Sequence, residues 1–592
     1  MSSIVALDIE TTGVDPETDA ITEIGAVRFK DNRAEPEWSS LINPNRPIPP
    51  MITQLTGISN EMVRNAPPLR AVSHELESFV GDCPILGHNV KFDLAFLRKQ
   101  NLFTLNASLD TYELASVLLP SASRYNLGAL GQSQGILLPA THRALDDARV
   151  THALYIRLHE IARSLPIDLV AQLVRLSEPF DWGAAGVFRQ LLNEQLHQPI
   201  AAKRVSPSDF GPLFRPLDTA LYPPLASVDN PLPLDPEEVV ALMEYGGPFA
   251  GYFENYERRP QQLEMLYAVT QALSEGIHLL VEAGTGTGKS FAYLLPAALW
   301  AVKNDRRVVI STNTINLQDQ LIKKDIPDLR NALQLDVRAT VLKGRANYLC
   351  PRRLEAFRQR GPETAEEMRV LAKVLVWLWQ GGSGDRTEIN LNGPAERDIW
   401  MRLSAEDEGC KAETCMARTG GACPFYLARQ AAQSSHVIIV NHALLLADVA
   451  TGSRVLPDYD HLIVDEAHHI EAATTNALSF RVTQGDLSRL LRELGGTSSG
   501  VLGHLLALFK TGLRPSDFAA LQQLIQRGTD LAFRLDHDFK EFFNALAAFL
   551  DEEREGRPVG NYGQQVRILP ATRTQPAWVA VEITWDTAAE TL

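Results

Sequence analysis

The chain is poor in cysteine, has no excess of positive charge and contains no long hydrophobic run. Five cysteines occur in 592 residues, too few for a disulfide framework. Lysine plus arginine total 56 against 72 aspartate plus glutamate, giving a net charge of −16, so a whole-chain basic footprint for nucleic acid is absent, although a local basic groove is not excluded. No apolar run approaches the roughly 20 residues that cross a bilayer. Since no basic segment precedes the first apolar stretch, we expect a cytoplasmic protein without a signal peptide.

The composition is that of a globular protein, with 45% hydrophobic and 22% charged residues. A region with eight prolines, between Ser206 and Pro236, predicts a connector, because proline lacks the amide donor and fixes φ. Apolar patterning then divides the chain into an N-terminal α/β domain (1–165), a helical segment with the proline-rich linker (166–236), a second α/β domain (237–342 and 431–475), a cysteine-bearing region within it (343–430) and a helical region (476–592).

The predicted fold class is α/β, from the patterns of residues 1–165 and of residues 237–342 with 431–475. IVALDIE and ITEIGAVRF indicate neighbouring strands near the N-terminus, and RALDDARVTHALYIRLHEIAR indicates a long helix. In the second α/β domain, HLLVEA, RRVVIST, HVIIVN and HLIVDEAHH are nearly continuous apolar runs that end in polar residues. Such runs are typical of a parallel sheet that is covered on both faces.

Acidic residues of the first domain indicate a metal site. Asp8 and Glu10 are two apart on the first predicted strand and therefore point to the same side. Asp93 stands at the start of a predicted helix, and His142 precedes Asp147 by five residues. Four carboxylates suit a hard cation such as Mg²⁺ or Mn²⁺, and a histidine beside them suits a general base.

The motifs DIETTG, GHNVKFD and HRALDDA together resemble those of the DEDDh-type 3′–5′ exonucleases over residues 1–165. The resemblance implies a ribonuclease H-like fold, a pair of Mg²⁺ or Mn²⁺ ions held by the four carboxylates, and His142 as the base. It selects Asp147 rather than Asp146 as the ligand, and we give Asp110 a structural role. Because the family also contains ribonucleases, these motifs leave DNA and RNA open as substrates.

A phosphate-binding loop opens the second α/β domain. Its glycines allow backbone N–H groups to surround phosphate oxygens at a helix N-terminus. Lys289 is placed to reach the β and γ phosphates, and the Ser290 hydroxyl to bind Mg²⁺. The motif consists of Ala283, Gly284, Thr285, Gly286, Thr287, Gly288, Lys289 and Ser290.

A second nucleotide motif, Asp465-Glu466-Ala467-His468, ends an apolar strand further along the chain. Asp465 is placed to hold Mg²⁺ through water and Glu466 to position the hydrolytic water, while His468 is a coupling residue. Together with the phosphate-binding loop, this motif resembles the first RecA-like lobe of superfamily 2 helicases. The resemblance implies that Gln262 reads adenine and that the segment around Thr312 and Gln318 grips a nucleic-acid backbone.

Four of the cysteines, Cys350, Cys410, Cys415 and Cys423, lie in one region, and Cys83 lies apart. Their spacing is compatible with Zn²⁺ or a [4Fe–4S] cluster and does not decide between them. In its helicase context the set resembles that of the DinG-type iron–sulfur helicases, which implies a [4Fe–4S] cluster and a helical, arch-type region in 476–592. Basic residues near Cys350, among them Lys343 and Arg345, are candidates for phosphate contacts.

The leading hypothesis is a metal-dependent 3′–5′ exonuclease acting on DNA, fused to an ATP-binding helicase module and serving DNA repair or replication. No segment resembling the second RecA-like lobe follows, so we expect that lobe to be absent or supplied by a separate chain. One alternative is a nuclease with a non-translocating, ATP-gated module that binds single strands. Another is a P-loop enzyme unrelated to nucleic acid. Translocation polarity, oligomeric state and pathway stay open.

Overall fold

A computed structural model describes most of the chain and divides it into two compact units, Met1–Thr474 and Thr475–Leu592. The described residues are 3–30, 33–137, 142–196, 213–214, 220, 222–406, 410, 415, 419, 422–452, 455–479, 482–554 and 566–592. None of the helices within these ranges is long and apolar enough to pass through a bilayer.

The N-terminal domain is built on a five-stranded mixed sheet with strand order β3-β2-β1-β4-β5. The first three strands pair antiparallel, whereas β1, β4 and β5 pair parallel. The strands are β1 (Ile4–Thr11), β2 (Ile21–Lys30), β3 (Arg33–Leu41), β4 (Ile85–Gly87) and β5 (Ser108–Asp110). The two predicted N-terminal strands are therefore present and adjacent.

Within the described residues of this domain, nine helices accompany the sheet. The longest, α7, contacts β1 and β2, because Ala144, Ala148 and Leu154 face the sheet and are fully buried. The helices are α1 (Pro50–Thr56), α2 (Asn60–Val63), α3 (Leu69–Val80), α4 (Val90–Lys99), α5 (Thr111–Leu118), α6 (Leu127–Ser133), α7 (Ala144–Arg163), α8 (Ile167–Ser177) and α9 (Ala185–Leu196).

Gly25 allows α7 to lie directly on β2. A Cβ atom at this position would stand 2.2 Å from the Leu145 nitrogen and 2.3 Å from the Ala144 carbonyl carbon. Both are backbone atoms, so the helix would have to move away to admit any larger residue. The first turn of α7 is thus fixed against the sheet by the absence of a side chain.

The second α/β domain contains a four-stranded, fully parallel sheet with strand order β7-β8-β6-β9. The residues of the two central strands β6 and β8 are nearly all buried, as the apolar runs predict. The strands are β6 (Val308–Thr312), β7 (Ala339–Val341), β8 (Val437–Asn441) and β9 (His461–Val464). The α/β fold class predicted for both domains is confirmed.

One predicted strand of this sheet is wrong. Residues 278–283, HLLVEA, form no strand. Leu280 is 94% exposed, and Leu279 and Val281 are also exposed. The apolar composition of this run predicts burial. However, no described strand pairs with it, and burial depends on a neighbouring strand that local composition cannot reveal.

Helices cover the second sheet and continue through the cysteine-bearing region between β7 and β8. A π-helical turn, Leu321–Asp325, separates α14 from α15. The helices are α10 (Pro236–Ala241), α11 (Pro248–Tyr252), α12 (Pro260–Glu275), α13 (Lys289–Asn304), α14 (Ile315–Gln320), α15 (Ile326–Leu333), α16 (Pro351–Arg360), α17 (Ala365–Trp379), α18 (Gly393–Leu403), α19 (Pro424–Gln433) and α20 (His442–Ala450).

The cysteine-bearing region packs against the N-terminal domain and shares its hydrophobic core. Helix α17 lies against α5 and α8, and the core cluster runs from the N-terminal sheet through to Leu403. Polar contacts cross the same boundary: Gln380 Nε2 donates to the Leu118 carbonyl at 3.0 Å, and Asn390 Nδ2 to the Ala122 carbonyl at 2.9 Å. These two regions, separate in sequence, are one packed structure.

The second unit, Thr475–Leu592, is helical where it is described, as predicted. Its 39-residue helix buries Ile525, Phe539 and Phe549, whereas Leu524 and Leu531 of the same apolar stripe are exposed. The helices of this unit are α22 (Gln484–Leu494), α23 (Gly500–Phe509), α24 (Pro515–Glu553) and α25 (Pro576–Thr591), and α21 (Ile470–Leu478) spans the boundary between the units.

Candidate nuclease and nucleotide sites

The N-terminal acidic residues meet at the carboxyl-terminal end of β1. Asp8 and Glu10 project from the same face of that strand, and both are half-buried. Asp93 lies in the first turn of α4 and is 3% exposed. Its Oδ1 atom accepts a hydrogen bond from the Ile9 backbone N–H at 3.1 Å, which fixes the carboxylate between the two strand residues. The structure thus brings Asp8, Glu10 and Asp93 together.

The remaining two predicted residues come from the start of α7. Asp147 lies in its first turn and is 7% exposed. His142 precedes the helix, is exposed, and has a φ of 54°. Potential ligand atoms of Glu10, His142 and Asp147 all lie within 4.8 Å of one another. A carboxylate pair with a solvent-facing imidazole beside it is the arrangement that the sequence motifs predict.

Burial and mutual repulsion raise the pKa values of Asp8, Glu10 and Asp93. Burial is the main reason that the pKa of Asp8 lies well above its ordinary value, and the charges of Asp93 and Asp147 add to it. Burial also raises the pKa of Glu10 to about 8, with further contributions from Asp147 and Glu23. The pKa of Asp93 is raised to about 8, again mainly by burial. A divalent cation would relieve this repulsion, so the donor set fits Mg²⁺ or Mn²⁺.

A fifth acidic side chain, Glu23 on β2, supports the site and was not identified from the sequence. Its carboxylate is 6% exposed and forms a two-pronged ion pair with Arg143, with an Nη2–Oε1 distance of 2.6 Å. It also accepts a hydrogen bond from the Ala144 N–H at 3.0 Å. The available signal was an acid in the middle of the apolar strand ITEIGAVRF.

Asp110 has the structural role that we assigned to it. Its carboxylate caps α5 by accepting from the Tyr112 N–H at 2.8 Å, and it also accepts from the Asn89 and Val90 N–H groups at 3.0 and 3.2 Å. Since Val90 opens α4, one carboxylate joins the starts of α4 and α5. The helix that carries Asp93 is thereby held in place.

The phosphate-binding loop precedes α13 in an open, solvent-facing arrangement. Gly286 and Gly288 have φ values of 82° and 80°, a region that side chains disfavour, and Lys289 begins the helix. A Cβ atom on Gly288 would also stand 2.3 Å from the Gln262 amide. These glycines leave the helix N-terminus accessible to an anion, so the loop fits a nucleotide phosphate chain.

The two nucleotide motifs contact each other. Lys289 Nζ lies 3.3 Å from Glu466 Oε1, and the His468 Nδ1 atom lies 3.5 Å from the other oxygen of Glu466. Tyr293, one turn into α13, donates its hydroxyl proton to Asp465 Oδ2 at 3.0 Å. The Asp465 N–H is itself fixed by a bond to the Ser311 carbonyl on β6. Tyr293 is a further residue of this site that the motifs did not indicate.

Gln262 lies next to the phosphate-binding loop. It is 7% exposed, and its Nε2 donates to the Gly288 carbonyl at 2.8 Å. Arg259, which precedes the same helix, donates to the Gly286 carbonyl at 2.7 Å. The start of α12 is thus hydrogen-bonded to the loop that would hold phosphate. The assignment of Gln262 to adenine stays a prediction.

The four cysteines of the set lie near one another. Cys350 and Cys423 are buried in one small cluster with Tyr348 and Phe425, and each precedes the first residue of a helix, where the helix dipole favours a thiolate. The Cys410 and Cys415 sulfurs are 3.9 Å apart. The pKa of Cys415 is raised to about 11, by burial first and then by the charges of Cys410, Cys423 and Cys350. Mutual repulsion of thiolates is what a bound metal group would remove.

Three side chains from the segments predicted to contact nucleic acid are buried. Thr312 and Gln318 are 0% and 1% exposed. Lys343 is 8% exposed, and its ammonium donates to Asp385 at 2.6 Å and to Thr387 at 2.8 Å. These three side chains are therefore not on the surface of this structure, and nucleic-acid contact by the segment around Thr312 and Gln318 and by the basic residues near Cys350 stays a prediction.

Comparison with known proteins finds three families that match separate parts of the chain. The Exonuclease family matches residues 5–155, the DEAD/DEAH box helicase family residues 259–353, and the DEAD_2 family residues 408–487. The chain is 32% identical to the 3′–5′ exonuclease DinG of Bacillus subtilis over 572 residues, which cover 93% of this chain and 60% of that protein. It is 26% identical to the protein of the same name from Staphylococcus saprophyticus, over 89% of this chain and 57% of the relative.

The chain therefore spans about three fifths of the length of these curated relatives. A solved structure of exonuclease X bound to DNA with a 5′ overhang is 28% identical, with a TM-score of 0.23, and covers 26% of this chain and 91% of that one. The chain combines an exonuclease domain with DEAD/DEAH box helicase segments, and the two matches imply use of a divalent metal and of ATP. This is the architecture of the DinG-type exonucleases, to which the chain is homologous over the residues matched. The resemblance inferred from the sequence motifs is confirmed.

Proposed function

We propose that this protein is a metal-dependent 3′–5′ exonuclease acting on DNA, joined to an ATP-binding helicase module. The observation that carries the proposal is the convergence of four acidic residues from β1, α4 and α7 beside the exposed His142. The relatives named 3′–5′ exonuclease DinG support the direction of digestion. A role in DNA repair or replication fits an enzyme with these two modules.

The chain supplies the residues for phosphodiester hydrolysis. Asp8, Glu10, Asp93 and Asp147 would hold the cations, which activate water and stabilise the leaving oxygen when bound. His142 is exposed and within 4.8 Å of two of these carboxylates, so its imidazole is placed to accept the proton of the attacking water.

The direct test is digestion of a single-stranded DNA that is labelled at its 5′ end. We expect a ladder of labelled products that shorten one nucleotide at a time, dependent on Mg²⁺ or Mn²⁺ and abolished by a chelator. Release of the labelled terminal nucleotide as the first product would instead show 5′–3′ digestion. An RNA strand of the same sequence, assayed in parallel, measures the preference between DNA and RNA that the motifs leave open.

We also propose that the phosphate-binding loop binds ATP with Mg²⁺ through Lys289, Ser290 and Asp465. Lys289→Ala should weaken nucleotide binding by about 10- to 100-fold, because a hydrogen bond to a charged group is worth roughly 1.5–3 kcal/mol. Fluorescent-nucleotide titration measures this, with exonuclease activity expected to stay at the wild-type level. Lys303→Ala, at the other end of α13, is the control, since its ammonium contacts only the Pro233 carbonyl among the contacts described. Equal affinity of Lys289→Ala and wild type would contradict the assignment.

A second candidate is that the nucleotide module grips single strands without translocating. The observation behind it is that Leu279, Leu280 and Val281, beside the phosphate-binding loop, are exposed, so this flank of the nucleotide site is open to contact instead of being packed in the sheet. A separate chain that supplies the second helicase lobe is the partner that a translocating motor would require. ATP hydrolysis stimulated by single-stranded DNA would favour the translocating motor. Binding of single-stranded DNA that changes with ATP, without ATP hydrolysis, would favour the module that does not translocate.

The four clustered cysteines are proposed as ligands of a [4Fe–4S] cluster. Protein purified without oxygen should be brown and contain about four iron and four sulfide ions per chain. Cys410→Ser should lose most of this iron, whereas Cys83→Ser should keep it, because Cys83 lies in the N-terminal domain beside Arg28. Stoichiometric zinc in a colourless wild-type protein would assign the site to Zn²⁺ instead.

A further inference from the structure

We propose that Glu23 is a positioning residue of the nuclease site, which acts through Arg143 to set the place of Asp147 and His142. The proposal rests on the exonuclease function proposed above and adds to it a residue that lies outside the three sequence motifs. Glu23 is on β2, whereas the residues it would position are at the start of α7.

Glu23 uses both carboxylate oxygens on the start of α7. Arg143 Nε donates to Oε2 at 3.0 Å and Nη2 donates to Oε1 at 2.6 Å, a fork geometry that fixes the guanidinium plane. The Ala144 N–H, one of the donors left free at a helix start, donates to Oε2 at 3.0 Å. A carboxylate that is 6% exposed and so fully engaged is fixed in position.

The hydrogen-bond chain continues directly to a predicted metal ligand. Arg143 is the residue that precedes α7, and its carbonyl accepts the Asp147 N–H at 3.0 Å. His142 is the neighbour of Arg143 on the other side. Two of the five predicted nuclease residues therefore flank the segment that Glu23 holds, one directly and one through a single hydrogen bond.

The strand side of the contact is equally fixed. Glu23 pairs across the β1–β2 ladder with Glu10, another predicted metal ligand. Two residues further along β2, Gly25 admits the backbone of Ala144 and Leu145. Loss of the Glu23 contacts would remove the polar contacts that join Arg143 and the Ala144 N–H to β2. A ligand displaced by a few tenths of an ångström binds its cation more weakly, since the effect of supporting residues on metal affinity is about 10- to 100-fold.

Charge and position make opposite predictions for Arg143. If Glu23 acted only through charge, Arg143→Gln would remove a positive charge near Glu10 and strengthen cation binding. If Glu23 acts by position, Arg143→Gln breaks the same connection as Glu23→Gln, and both variants bind the cation more weakly. Comparison of the two variants therefore separates the two explanations.

The experiment is Mn²⁺ binding to the full chain, measured by calorimetry or electron paramagnetic resonance, with exonuclease turnover as a second readout. We expect Glu23→Gln and Arg143→Gln each to weaken Mn²⁺ binding and lower turnover by about 10- to 100-fold. The double variant should be no worse than the stronger single variant, because both act through one contact. Circular dichroism checks that each variant is folded.

Glu37→Gln is the matched control. Glu37 forms the same kind of two-pronged pair with Arg149, at 2.6 and 2.9 Å, and so joins α7 to β3. Arg149 lies one and a half turns beyond Arg143, and both partners are more than a third exposed. Removing this pair should leave Mn²⁺ affinity and turnover unchanged, which shows that loss of an ion pair on α7 is not sufficient.

Wild-type Mn²⁺ affinity in folded Glu23→Gln would overturn the proposal, and so would tighter binding by Arg143→Gln. If Glu23→Gln failed to fold, the result for Arg143, which is 41% exposed, would decide alone. The proposed function fails separately: wild-type protein that binds no Mn²⁺, or Asp147→Asn that binds it normally, would contradict the metal site and the positioning role together. Weak binding by Asp147→Asn with normal binding by both other variants would contradict only the role of Glu23.

Discussion

Asp147→Asn should lose exonuclease turnover by about 10³-fold or more. The substitution keeps the shape of the side chain and removes one carboxylate from a set in which Asp147 lies within 4.8 Å of Glu10 and His142. Loss of a cation that contributes several kcal/mol to the reaction corresponds to a rate reduction of this size. The measurement is single-turnover digestion of 5′-labelled DNA at saturating protein.

The neighbouring acid provides the control. Asp146→Asn changes the same group one residue earlier, yet the Asp146 carboxylate pairs with Arg149 at 2.9 Å and is 40% exposed. It should digest DNA within about threefold of wild type, since surface pairs of this kind contribute at most about 1 kcal/mol. Equal loss in both variants would mean that the start of α7, rather than the Asp147 carboxylate, is what the reaction requires. Normal turnover by Asp147→Asn would contradict the metal assignment.

Asp147→Asn should leave nucleotide binding intact. Asp147 belongs to the N-terminal domain, and Lys289 and Asp465 belong to the second sheet. Retained affinity for a fluorescent nucleotide therefore shows that the loss of digestion is local. It also rules out unfolding of the whole chain as the cause of the lost digestion.

The nuclease residues could be predicted from the sequence because each one lies in a short motif with its own spacing. Asp8 and Glu10 alternate on a strand, and Asp147 follows a helix start, so local geometry already limits where their side chains point. Glu23 could not be predicted in this way. Its partner is 120 residues away, and only the packing of α7 on β2 brings the two together.

The apolar run HLLVEA is a strand that the sequence predicts and the structure lacks. Its composition is that of a buried strand, but strand formation requires a partner, and Leu280 is 94% exposed. Composition shows that a segment is compatible with a strand, whereas pairing with a neighbouring strand determines whether the strand forms. The strands β6 and β8, with the same composition, are buried because each has neighbours on both sides.

The contact between the first domain and the cysteine-bearing region could not be predicted from the sequence. The sequence predicts two segments almost 180 residues apart, with a linker and a sheet between them, and indicates no contact. In the structure, α17 completes the core around α5 and α8. The charged residues of α17 look like an ordinary solvent-exposed helix face in the sequence. Only the fold shows that Lys373 is 0% exposed.

Lys373→Ala should destabilise this shared core by about 3–5 kcal/mol, the range for breaking a buried ion pair. The Lys373 ammonium donates to Glu396 at 2.7 Å and to the Asn390 carbonyl at 3.0 Å. Glu396 is 2% exposed, so the variant leaves a buried carboxylate with Arg369, 3.6 Å away, as its charged neighbour. Burial lowers the pKa of Lys373, and the neighbouring carboxylate of Glu396 opposes this shift.

Arg369 extends the effect into the nuclease domain, because its guanidinium also lies 3.3 Å from Glu113 on α5. Glu113 accepts a hydrogen bond from Trp182 at 3.2 Å. Disturbance of the buried pair is thus transmitted to the helix whose cap, Asp110, also holds the start of α4. We expect α5 and α17 to lose protection from hydrogen exchange together in Lys373→Ala, and heat inactivation of the nuclease to occur at a lower temperature.

Arg157→Ala is the matched control for this change. Arg157 pairs with Glu160 on α7 at 3.2 Å, and both side chains are more than half exposed, so the loss should be within about 1 kcal/mol. Exchange that increases in α17 while α5 keeps its protection would show that the two regions unfold independently. That result would mean that the cysteine-bearing region rests on the nuclease domain without stabilising it. Joint loss would make the region a structural part of the nuclease.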